Sequence, residues 1–107
     1  MATGLRQGVQ FRAAVSEVIP HKETINVASL VDAAGATQVV TVPGVELGDF
    51  VLVSCDLDLQ DMTVTAYVQA ANLVEIRVQN EGAATIDLAS TIFNILVLKK
   101  GPIFDGI

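Results

Sequence analysis

Asp56, Asp58 and Asp61, within Asp56-Leu57-Asp58-Leu59-Gln60-Asp61, come nearest to a chemical site in this sequence, because clustered carboxylate oxygens are what a calcium ion takes as ligands. An extended segment followed by a turn sets Asp56 and Asp58 on one strand face and Asp61 in the next turn. The segment lacks the glycine and the distal glutamate of a helix-loop-helix calcium site, so a solvated acidic loop is expected and no metal ligand is assigned. The one histidine, His21, excludes a histidine-based triad or a multi-histidine metal site within one chain. Beside Pro20, it is expected in a solvated turn. Pro43-Gly44-Val45-Glu46-Leu47-Gly48-Asp49 has the glycines of a phosphate loop but neither the lysine nor the following helix, and reads as a turn. Cys55 reads as a small apolar side chain in a strand. Glycoside hydrolysis needs two carboxylates across a cleft, usually among sugar-stacking aromatics, and Tyr67 is the one polar aromatic here. No catalytic, cofactor-binding or metal-binding residue is assigned, and the chain is not expected to be an enzyme. The enzymatic alternative is a subunit whose site forms between chains, with Asp56, Asp58 or Asp61 supplied by several copies around an axis.

Composition narrows the partners. A chain of 107 residues is one ordinary domain. Hydrophobic residues make up 51% of it. Its apolar runs, such as residues 95–98, fall far short of the roughly 20 residues a membrane helix needs. The opening Met-Ala-Thr-Gly-Leu-Arg-Gln-Gly lacks the basic patch and apolar stretch of a secretory signal, so neither export nor membrane association is expected. A formal charge of −6 repels phosphate backbones and anionic lipid, which argues against nucleic acid. A single cysteine forbids an intrachain disulfide. With four phenylalanines, one tyrosine and no tryptophan, the core must be built of Val, Ile, Leu and Ala.

Those aliphatics recur at a period of two, the signature of strands. Over Met62–Ala70 the residues Met62, Val64, Ala66, Val68 and Ala70 face one way, with Thr63, Thr65, Tyr67 and Gln69 opposite. Residues 72–79 repeat the pattern with Val74, Ile76 and Val78, and the link at 70–72 predicts a hairpin turn. Residues 9–18, 24–30 and 37–42 read as further strands, interrupted at Pro20 and at Ala33-Ala34-Gly35. Phe50–Cys55 is apolar on both faces and is expected to be the best protected strand. Residues 91–99 form the last long strand. The sum is an all-β chain, an antiparallel β-sandwich of jelly-roll type with about seven strands, or about eight if residues 85–88 pair. An N-terminal arm (1–10), a β-sandwich domain (11–100) and a C-terminal tail (101–107) complete the organisation.

A domain this small has too little interior to hide so many aliphatic side chains, so copies must cover one another. A homo-oligomer follows, with a trimer expected. The candidate contact residues are Leu5 in the arm, Phe50 and Tyr67 on the strands, and Ile103, Phe104 and Ile107 in the tail, whose apolar side chains suit a neighbour's groove.

The segments Val42-Pro43-Gly44-Val45-Glu46-Leu47-Gly48-Asp49-Phe50-Val51-Leu52-Val53, Val64-Thr65-Ala66-Tyr67-Val68, Val74-Glu75-Ile76-Arg77-Val78-Gln79-Asn80 and Ile86-Asp87-Leu88-Ala89-Ser90 also carry a resemblance. They resemble small virion proteins of tailed bacteriophages, of the head-decoration (cement) or tail-associated type. The resemblance spans residues 36–98 and consists of strand and turn patterns. It implies a β-rich structural protein that assembles, often as trimers, on the capsid surface against the major capsid protein, after synthesis in the host cytoplasm. It carries over no active-site residues. A tail-fibre or receptor-binding module for host surface glycan is the alternative, against which the scarcity of aromatics argues.

Overall fold

The computed structural model describes residue 11 and residues 13–82 and 84–104. Six strands are formed: β1 (Val15–Ile25), β2 (Gly35–Thr41), β3 (Phe50–Cys55), β4 (Met62–Ala70), β5 (Leu73–Asn80) and β6 (Thr91–Lys100). A short 3-10 turn, Pro102–Phe104, follows. The chain is all-β, as its alternation predicts. The strands make two three-stranded antiparallel sheets, β1-β6-β3 and β2-β5-β4, fewer than a jelly roll of eight.

The difference in count has a local cause. Residues 9–18 and 24–30 are not separate strands broken at Pro20, because β1 runs straight through the proline. An edge strand tolerates this, since a missing N–H that faces away from the ladder breaks no hydrogen bond. Pro20 pairs with Leu96 on the one side where β1 has a neighbour. His21 therefore lies in a strand opposite Ile95, not in a turn. Residues 85–88 contribute a single bridge, Leu30 to Ile86, in place of an eighth strand.

β4 and β5 form the predicted hairpin, with Ala70 opposite Leu73 and Ala71-Asn72 as the two-residue turn. Asn72 adopts a φ of 67°, a left-handed conformation that asparagine accepts at low cost. Its side chain also accepts the Gly44 N–H at 2.8 Å, and its N–H reaches the Val45 carbonyl at 2.9 Å. The hairpin is thus tied to the 42–49 turn that carries the chain from one sheet to the other. Gly44 and Gly48 in that turn each have φ of 95°, where a Cβ is strained.

The core lies between the sheets. Phe93, Ile95 and Val97 of β6 and Val74, Ile76 and Val78 of β5 are all buried, with Val42, Val45, Leu30 and Leu88 closing the ends. At one seam, Cα atoms of β3 and β4 come within 8 Å of each other, although no ladder joins the two strands. At the other seam, β1 and β2 each end their sheets.

β3 is not the best protected strand: it is an edge, and Phe50 and Leu52 are exposed. The central place belongs to β6, which pairs with both β1 and β3. Apolar residues on both faces mark a strand covered on both sides, and in β3 one of those sides is open.

The 42–49 turn is locked onto β6 by an ion pair. Lys99 Nζ lies 2.9 Å from Asp49 Oδ2 and 3.2 Å from Glu46 Oε1, and it donates to the Gly44 carbonyl at 2.8 Å. Asp49 also accepts the backbone N–H groups of Glu46 and Lys100. Burial works to raise the Asp49 carboxyl, but Lys99 and the two backbone donors outweigh it and hold the group below its ordinary value of 3.8. Burial likewise opposes the charge on Lys99, and the Asp49 and Glu46 carboxylates push that group up. A carboxyl lowered by folding stabilises at pH above its unfolded value and stops doing so as pH falls through its folded value. Asp49→Asn is therefore expected to cost about 2 kcal/mol at neutral pH. The gap from the parent should close as pH drops below 3.8. Urea unfolding at several pH values measures this, and a gap that does not change with pH would rule out the ion pair as its source.

Candidate functional site: an apolar face on the outer side of the first sheet

Cross-strand partners in an antiparallel sheet share a face, and alternate residues along a strand change faces. The register of β1, β6 and β3 therefore assigns two sides to this sheet. Its inner side carries Phe93, Ile95 and Val97 against the core. Its outer side carries Val18, Leu98 and Phe50 in one row and Pro20, Leu96 and Leu52 in the next. Six apolar side chains thus lie side by side on this face. Phe50 is 45% exposed and Leu52 58%. A shallow depression of about 470 Å³ runs over the second row.

Polar groups bound this band at one end. Lys22, Asn94 and Ser54 form the next row, and Asn94 Nδ2 donates to Asp56 Oδ1 at 2.7 Å and to Ser54 Oγ at 3.2 Å. At the other end the chain turns back at Gly101, and the Phe104 ring packs on Phe50 with centroids 5.5 Å apart and planes at 58°. That tilted contact is a favourable aromatic geometry and extends the apolar surface. Ile103 beside it is exposed.

Phe50, Ile103 and Phe104 are thus brought to one end of the molecule. Tyr67 is not among them, since it stands on the outer face of the second sheet, in a row with Val39 and Glu75. The Glu75 carboxylate opposite it pushes the Tyr67 phenol up. Leu5 and Ile107 lie outside the described residues. Residue type alone missed Val18, Pro20, Leu52, Leu96 and Leu98. The signal for them was present as aliphatics on both parities of Phe50–Cys55 and of residues 92–98.

The acidic segment is arranged differently from the expected strand-and-turn. Asp56 and Asp58 lie in the loop beyond β3, not on a strand face. Asp56 is engaged by Asn94, and Asp58 accepts the N–H of Gln60 at 2.9 Å, closing a turn in which Gln60 and Asp61 have positive φ. Among the described residues, no three His, Cys, Asp or Glu side chains converge as metal ligands would. His21 Nε2 sits 3.0 Å from Glu23 Oε1 in a partly exposed pair, an interaction worth little in water. Cys55 is half-buried against the core with its thiol free.

Together these features define a small all-β protein with one continuous apolar sheet face. The chain matches no family model, no curated protein and no solved structure.

Proposed function

We propose that this chain is a structural virion protein, a capsid decoration (cement) protein of a tailed bacteriophage that binds the major capsid protein on the outside of the head. In this reading the two sheets are the halves of a small β-sandwich, and the protein works as a trimer. The observation that carries the reading is the in-register band of Val18, Leu98, Phe50, Pro20, Leu96 and Leu52 on the outer side of the first sheet. An in-register apolar band of this kind supports the reading because the fully buried centre of a protein–protein contact is apolar and poor in charge.

The size of the band supports a multivalent mode of action. Three strands about 4.8 Å apart and two rows of side chains give a patch on the order of 200 Å². A stable contact between two proteins buries about 800 Å² on each side. One copy alone therefore holds weakly, and several linked copies gain by avidity what a single face lacks.

Leu52→Glu tests the reading. The side chain is 58% exposed, so the fold should survive with a change below about 0.5 kcal/mol. Binding to expanded phage capsids, followed by co-sedimentation, should weaken at least tenfold, on the order of the loss at an interface hot spot. Unchanged co-sedimentation by a folded Leu52→Glu protein would refute the role of this face.

A further inference from the structure

The apolar band on the first sheet lies between two positive charges. On β6 the outer side continues two residues past Leu98 to Lys100, whose Nζ lies 3.2 Å from where a Cβ on Gly48 would sit. Lys100 therefore reaches across the chain just before β3 and closes one end of the band. Lys22 stands in the row that closes the other end, beside Asn94 and Ser54, and borders the depression over Pro20, Leu96 and Leu52. From Asn94 to Lys100 β6 rises about 20 Å at about 3.3 Å per residue.

These two charges run against the balance of the molecule. The whole chain holds six basic and twelve acidic residues. Among the described residues the basic ones are Lys22, Arg77, Lys99 and Lys100. Lys99 is bound by Asp49 and Glu46 on the inner side of β6, and Arg77 stands on the outer face of the second sheet, where it donates to Thr37. The remaining two, Lys22 and Lys100, are exposed and flank the band. Glu17 and Glu23 of β1 share rows with Lys99 and Phe93, so they belong to the other side of the sheet. Asp56, the acid on this side, has its carboxylate engaged by Asn94 at 2.7 Å. Outside the described residues the chain holds Arg6, Arg12 and one acid, Asp105, which add no net negative charge.

We propose that the surface this face meets on the shell is apolar at its centre and acidic at two points about 20 Å apart, where carboxylates pair with Lys22 and Lys100, a reading that rests on the capsid function proposed above. At physiological salt the Debye length is about 8 Å, so the lysines at the rim act on the partner while acids on the opposite side of the molecule are largely screened. A second copy of this chain fits the same face poorly. A two-fold contact sets residue i against j and j against i, so laying the face on its own copy brings Lys22 against Lys22 or against Lys100. Lysine then meets lysine in either arrangement.

Co-sedimentation with expanded phage capsids at two salt concentrations provides the test, with thermal unfolding as the check on folding. Lys22→Glu combined with Lys100→Glu is expected to bind at least about tenfold more weakly than the parent at about 0.1 M NaCl. The gap should narrow to less than about threefold at about 1 M, where the Debye length is about 3 Å. Lys22→Arg combined with Lys100→Arg should bind as the parent does. Lys22→Glu alone, away from the 42–49 turn, should weaken binding about threefold and serves if the double variant does not fold. A folded reversal variant that binds as tightly as the parent, or a gap that ignores salt, would overturn the inference. If Leu52→Glu still released the protein in that case, the capsid reading would survive alone, whereas a parent chain that never sediments with capsids removes both. Sedimentation of the parent with vesicles of phosphatidylglycerol but not of phosphatidylcholine would put an anionic lipid surface on this face and overturn it as well.

Discussion

Asn80→Asp is expected to destabilise the fold by about 3–5 kcal/mol at neutral pH, although it exchanges one terminal atom for another of nearly the same size. Asn80 is fully buried at the end of β5. Its Nδ2 donates to the carbonyls of Leu30 and Ala84, both at 2.9 Å, and its Oδ1 accepts the Gly82 N–H at 2.9 Å. Its backbone exchanges hydrogen bonds with Ala33 and Ala34. One side chain therefore joins the two long crossings between the sheets, residues 26–34 and 81–90, which otherwise meet at the Leu30–Ile86 bridge. A carboxylate in its place would aim a charged acceptor at two carbonyl oxygens. Its pKa in the folded state would rise, so the variant should be closest to the parent below about pH 4. It should lose stability as pH rises, by about 1.4 kcal/mol for each unit between the unfolded pKa and the working pH. That trend is opposite to the one expected for Asp49→Asn. Denaturant unfolding from pH 4 to pH 8 measures it, and a flat profile would mean that the asparagine is not the tie it is taken to be.

Phe93→Ala is expected to cost about 3–5 kcal/mol. Phe93 is the largest of the fully buried side chains, on the central strand of its sheet, between Glu23 of β1 and Cys55 of β3. Neighbours on both sides are held in ladders and cannot collapse into the space. The vacated volume also adjoins a cavity of about 180 Å³ that Phe93 lines together with residues 25–28 and 36–38. Phe50→Ala is the contrast. Phe50 is 45% exposed and touches Phe104 on the surface, so its loss should cost less than about 1 kcal/mol of stability while impairing docking. If thermal and denaturant unfolding showed the two variants equally stable, the division between core and exposed face would be wrong.

Much of the fold was legible in the order of residues because it depends on neighbours along the chain. Alternation of apolar and polar side chains located β4, β5, β6 and the hairpin between them, and the glycines of 42–49 announced a turn. These are local properties, set by which face of an extended chain meets water and by which residues accept positive φ. The crowding of aliphatics on both parities of Phe50–Cys55 likewise announced apolar side chains on both faces of that strand, of which Phe50 and Leu52 are exposed.

Tertiary structure alone decided which strands lie at an edge. Pro20 was readable as a break, and only the position of β1 at the rim of its sheet made it harmless. β3 was readable as apolar on both sides, and only the sheet order left one of those sides uncovered. Its apolar outer face exists because Leu52, Leu96 and Pro20 fall into one row, a register in which Leu96 meets Leu52 from 44 residues away and Pro20 from 76. No local pattern encodes that alignment: a strand's own sequence states which faces it has, and the pairing that assigns each face to the core or to solvent is a property of the whole chain.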